Sequence, residues 1–234
     1  LPKRYWYVIL AYIIMQYSAY IGAPLFYAIL PVSDIEASIY WTVFSFILGL
    51  IIVLSFMKPD MQMRAARDAS SASKVITWSI LGVFMAYFAQ AFAVILETFI
   101  FDITPGSENT AQIMDLSRAI PIFVIVPALV GPILEEIIFR KIIFGSFYKK
   151  MNFFFAAILS ALIFGFIHQE PEHILIYASM GFVFAFLYVR TKRIITPIIV
   201  HMSMNTLTII AQYSLTPEQI QQQLDQLQLI LIGL

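Results

Sequence analysis

Uninterrupted apolar runs, most of them about 18 residues or longer, recur along this chain between short polar segments. A helical run of that length crosses a hydrocarbon layer of about 30 Å. Backbone groups in lipid must be satisfied inside a helix or a closed barrel. These runs are continuous rather than alternating, which selects helices over barrel strands. Only 12% of residues are charged and the mean hydropathy is +0.86, whereas a water-facing domain carries about 25% charged residues. The pattern predicts an all-α polytopic transmembrane bundle of about seven spans, near 5–30, 38–57, 75–101, 119–148, 152–168, 174–190 and 194–213. The Gln-rich tail 214–234 reads as a short C-terminal helix that Ser214 or Thr216 would cap. No internal repeat or linker divides residues 1–234, so one integral membrane domain is expected.

The position of the charges is more informative than their zero sum, which suggests no nucleic-acid partner. Lys3, Arg4, Lys58, Arg64, Arg67, Lys74, Lys149, Lys150, Arg190, Lys192 and Arg193 all fall on one side if the helices alternate. Asp34, Glu36, Asp102, Glu108, Asp115, Glu170 and Glu172 fall on the other, together with Arg118. Basic loops stay in the cytoplasm, so the expected setting is the cell membrane, with the lipid bilayer as partner and a cytoplasmic N-terminus. The stretch after Lys3-Arg4 is too long for a signal-peptide core and reads as a first membrane helix. The outer segment 102–118, turning at Pro105-Gly106-Ser107, reads as a plain solvated connection. The absence of cysteine excludes disulfides, thiolate ligands and a cysteine nucleophile.

Three polar islands interrupt the apolar helices. The fourth span holds Glu135, Glu136 and Arg140, the fifth ends Phe164-Gly165-Phe166-Ile167-His168, and the seventh holds His201 and Asn205. Each charged residue at mid-membrane costs roughly 2.5–3.5 kcal/mol, so such groups face an interior or a wet cavity. Glu136 and Arg140 share a helix face and can pair, while Glu135 is rotated about 100° away and left for another task. Counted along the helices, Glu135 and His168 lie roughly 21 and 22 Å from the basic side, and His201 and Asn205 roughly 12 and 18 Å. One carboxylate, two imidazoles and an amide at one level can activate water and stabilise an oxyanion. The same donors also suit zinc. Glu97 near a helix end reads as water-reachable and outside the site, and His173 in Glu170-Pro171-Glu172-His173 reads as a solvated loop residue, the one rival to His168. No His-Glu-x-x-His, Gly-x-Ser-Gly or Gly-x-Gly-Asp motif of other membrane proteases is present.

At these residues the chain resembles the CAAX-protease and bacteriocin-processing family, also called the Abi family. The family's ordered signature matches at Glu135-Glu136 to Arg140, Phe164 to His168, and His201 to Asn205, within a catalytic core of about 119–210. The resemblance implies an intramembrane endopeptidase, compact like bacterial members, acting on a membrane-associated peptide or protein such as a signal or bacteriocin precursor. It implies Glu135 as general base with His168 as partner, His201 and Asn205 at the oxyanion, and Glu136 with Arg140 holding the helix. Two mechanisms stay open: water activated by these side chains alone, or by zinc on Glu135, His168 and His201. The donor set favours zinc. A proton-coupled carrier or channel, or a non-catalytic immunity or scaffold protein, are the rival readings, since buried ionisable groups also mark transport paths.

Overall fold

The computed structural model describes residues 1–63 and 68–216, and beyond them only 219, 222 and 226. Arg64, Arg67 and most of the tail helix expected over 214–234 lie outside the described residues. At the start of that tail, Gln219 N donates to Thr216 Oγ1 (3.3 Å) and Thr216 N to Gln219 Oε1 (2.9 Å), the two bonds of a capping box.

The described elements are helices. α1 (Lys3–Tyr17) and α2 (Ala19–Ile29) meet at Ser18 with a 49° bend. The bend is stabilised from outside, because Ser18 Oγ accepts the Trp41 indole N–H at 2.9 Å. α3 (Asp34–Gln62) starts at a Ser33–Glu36 capping box. α4 (Ala72–Phe101) ends on Asp102 in the left-handed region. α5 (Glu108–Ala119) is capped by Ser107. α6 (Pro121–Phe147) is one irregular rod. α7 (Phe153–Phe166), α8 (Ile174–Thr191) and α9 (Ile195–Tyr213) complete the bundle.

All seven of the expected runs hold helices, though they differ in length and apolarity. Among the described residues, α3, α4, α6 and the segment Pro171–Thr191 are long and apolar enough to cross a membrane, with α1 and α2 as a fifth span if the bent pair counts as one. α7 is apolar but only 14 residues long. α9 is long enough, but His201, Ser203, Asn205 and Gln212 dilute its apolar character. Segment 102–118 is more than a plain connection: most of it is helix α5, whose capped end is tied to Glu170.

α6 is the innermost span. Fifty-six per cent of its apolar window is buried, against 22–39% for the others. Tyr5, Val8, Tyr12 and Met15 of α1, Val53 and Met57 of α3, Phe164 of α7 and Tyr177 of α8 all join its buried face. A second cluster joins Ala86 of α4 to Phe184 and Leu187 of α8 and to Val200 and Met204 of α9. α7 and α8 approach closely through small residues. A Cβ on Gly181 would sit 3.1 Å from that of Ala161, so even alanine there would press on the neighbour; small residues are what let membrane helices come this near. Basic segments gather at one end of the bundle. Asp60 accepts from Arg4 Nε (2.6 Å) and the Tyr5 hydroxyl (2.7 Å) there, Lys192 pairs with Asp68, and Arg193 Nε donates to the Ser70 carbonyl at 3.2 Å.

Candidate active site

The irregularity of α6 starts in its prolines. Gly131 N–H reaches back five residues to the Val126 carbonyl, a π-helical bond. The next bond of that pattern would run from residue 132 to Pro127, but Pro132 has no N–H to donate. The Pro127 carbonyl is instead met by Asn205 Nδ2 of α9 at 2.8 Å. Asn205 therefore supports the backbone just before the paired glutamates.

Glu136 and Arg140, both fully buried, approach to 3.0 Å between Oε2 and Nε. The contact is an ion pair without the alignment of a hydrogen bond, and none of the three guanidinium nitrogens has a hydrogen-bond partner among the described residues. The cation lies instead over Phe164 (4.5 Å) and Phe184 (5.1 Å), which supply aromatic faces in place of acceptors. The other oxygen of Glu136 accepts from His201 Nδ1 at 3.0 Å. One buried carboxylate thus holds the arginine and orients the histidine.

A carboxylate oxygen or carbonyl can only accept, so both candidate histidines carry their proton on Nδ1. His201 donates to Glu136, and His168 Nδ1 donates to the Phe164 carbonyl at 2.7 Å. Each ring is left with Nε2 free. His201 Nε2 lies 3.7 Å from Oε2 of Glu135, whose side chain keeps 18% exposure where Glu136 has none. His168 is within electrostatic range of both Glu135 and His201, and both rings flank Phe164, at 4.6 and 6.0 Å between centroids. Among the described residues, no three His, Asp or Glu side chains are arranged to hold a metal ion. Glu135, His168 and His201 approach one another with both Nε2 atoms free, but do not converge as a ligand set in this arrangement.

Two expectations outside the signature are overturned. Glu97 and His173 are 2% and 6% exposed, not solvated. His173 Nδ1 donates to Glu97 at 2.9 Å, and the other oxygen of Glu97 accepts the N–H groups of Leu175 and Ile176. Glu97 thereby caps the start of α8 from α4, an anion at a helix N-terminus. Sequence reading also passed over Tyr177 and gave Glu170 no partner. The Tyr177 ring stacks on His168 at 4.1 Å and 22°, and its hydroxyl donates to Glu170 at 2.5 Å. Burial pushes the Glu170 carboxyl up, but bonds from Tyr177, Asn109 N–H and Ser107 outweigh it and hold it below the usual range. Tyr12 of α1, buried and accepting from Gln16 Nε2 at 2.9 Å, lies within electrostatic range of Glu135. An aromatic residue in an apolar helix has no contrast that sequence alone would register.

Residues 117–207 match the family model described as "Type II CAAX prenyl endopeptidase Rce1-like". Over 241 aligned positions, 99% of this chain and 98% of the relative, the chain is 45% identical to "Putative membrane peptidase YdiL" of Bacillus subtilis (strain 168). The chain belongs to the CAAX-protease and bacteriocin-processing family. It is also 35% identical over 158 residues to "Membrane-embedded CAAX protease MroQ" of Staphylococcus aureus (strain USA300), covering 65% of this chain and 64% of that one. No solved structure matches. As a member of the CAAX-protease family the chain is a multi-pass membrane protease. The matched span holds Glu135, Glu136, Arg140, His168, His201 and Asn205, whereas α1 to α4 lie outside the family model and inside the stretch aligned with the Bacillus relative.

Proposed function

We propose that this protein is an intramembrane endopeptidase that hydrolyses a peptide bond of a membrane-associated peptide or protein with water activated by Glu135. The observation that carries this reading is the 3.7 Å separation of Glu135 Oε2 from His201 Nε2, with the Nδ1 atoms of both histidines already committed. That gap exceeds a direct hydrogen bond and suits a bridging water. In the reaction Glu135 takes a proton from the water as its oxygen attacks the substrate carbonyl carbon. The carbonyl oxygen becomes an oxyanion, and His201, which takes up a second proton from solvent at Nε2 with Glu136 balancing the charge, donates to it. The C–N bond then breaks, and Glu135 returns its proton to the leaving nitrogen. His168 Nε2 is the second acceptor that orients the water.

The test is cleavage of a membrane peptide by purified Glu135→Gln. A general base contributes about 10²–10⁴-fold, so the rate falls by at least about 100-fold while the thermal midpoint stays put. Normal cleavage by folded Glu135→Gln overturns the assignment. Metal analysis of the same active sample tests the zinc version: stoichiometric zinc that is lost in His168→Ala would replace the metal-free reading.

A further inference from the structure

The position of His168 is held from outside the family signature. Its Nδ1–H bond to Phe164 fixes one edge of the ring, but a single bond leaves the plane free to swing. Tyr177 covers the face, with ring centroids 4.1 Å apart and planes within 22°. Tyr177 is itself pinned, because its buried hydroxyl donates to Glu170. Glu170 is fixed in turn by Ser107 Oγ (2.9 Å) and Asn109 N–H (2.8 Å) at the capped end of α5. The chain reverses between these groups at Gln169, whose φ of 59° lies in the left-handed region. Two residues on from His168, Glu170 therefore faces back toward α8.

We infer that Tyr177 is a positioning residue for His168, its ring setting the plane of the imidazole and its hydroxyl locked by Glu170. The inference rests on the proposed role of His168 in the reaction. Tyr177 does not touch the reacting atoms. It removes the motion that would carry Nε2 out of line, and a misplacement of about 1 Å can cost about 10²-fold in rate.

The experiment measures peptide cleavage by Tyr177→Phe, Tyr177→Leu, His168→Ala and the double variant His168→Ala/Tyr177→Leu. Tyr177→Phe keeps the stacked ring and loses only the bond to Glu170, so kcat falls up to about 10-fold, the equivalent of one such bond. Tyr177→Leu removes the face and lowers kcat by about 100-fold with KM unchanged. Phenylalanine thus rescues most of what leucine loses. In the His168→Ala background Tyr177→Leu costs nothing further, because the two residues act as one unit. A merely structural role would instead multiply the losses and move KM and the thermal midpoint together, and that result overturns the inference. So does wild-type kcat in Tyr177→Leu beside an inactive His168→Ala, which leaves the proposed function standing. Normal cleavage by His168→Ala would remove the reading of the site itself.

Discussion

Glu136 serves two partners from one fully buried carboxylate, the Arg140 cation through one oxygen and the His201 imidazole through the other. Glutamine at this position keeps the shape but leaves Arg140 as an uncompensated charge among phenyl rings. Removing one partner of a buried pair costs about 3–5 kcal/mol, so Glu136→Gln unfolds earlier in detergent by that amount, and a midpoint equal to wild type would refute the pairing. Glu135→Gln removes no such partner and leaves stability alone. The two adjacent glutamates are told apart in the sequence by spacing, because only Glu136 shares a face with Arg140. Asn205 was legible as a polar island, but its bond to a backbone carbonyl was not, since nothing in its neighbours names Pro127. His173 was misread for a related reason: beside Pro171 and Glu172 it looks solvated, and its partner Glu97 lies 76 positions away.

Among the elements, α6 shows how a local defect is repaired from a distance. Pro132 withholds the N–H that the π-helical turn would offer to Pro127, and α9 supplies it through Asn205. A fully buried carbonyl left without a donor costs about 1–3 kcal/mol, and the part-buried Pro127 carbonyl falls toward the lower end. Asn205→Ala is therefore expected to lose that much stability, read from unfolding in detergent. A large fall in kcat with unchanged stability would instead assign Asn205 to the oxyanion. The seven helical runs were readable because lipid demands long apolar segments, and each has a helix at its place. Their breaks were less readable. The bend at Ser18 depends on Trp41 from another helix, and the π-helical turns of α6 depend on which carbonyls find donors elsewhere.

For the whole molecule, the residues outside the family model are part of the site's enclosure. Tyr12 and Met15 of α1 and Val53 of α3 pack into the same buried cluster as Leu134 and Phe164, and Asp60 ties α1 to α6 through Arg4 and, at 3.9 Å, Lys141. α7 stands apart by its length. Its 14 residues extend about 21 Å at 1.5 Å each, short of a hydrocarbon core of about 30 Å. A span that falls short is accommodated by hydrophobic mismatch, with lipid headgroups and their hydration drawn inward beside it. The inward pull acts at both ends of α7, one of which leads into His168. Reconstituted into bilayers of increasing acyl-chain length, the protein should cleave fastest in the thinnest that support folding and more slowly as the core thickens; a rate indifferent to thickness would count against this. The deformed lipid beside α7 would then set how readily water enters the hydrolytic site.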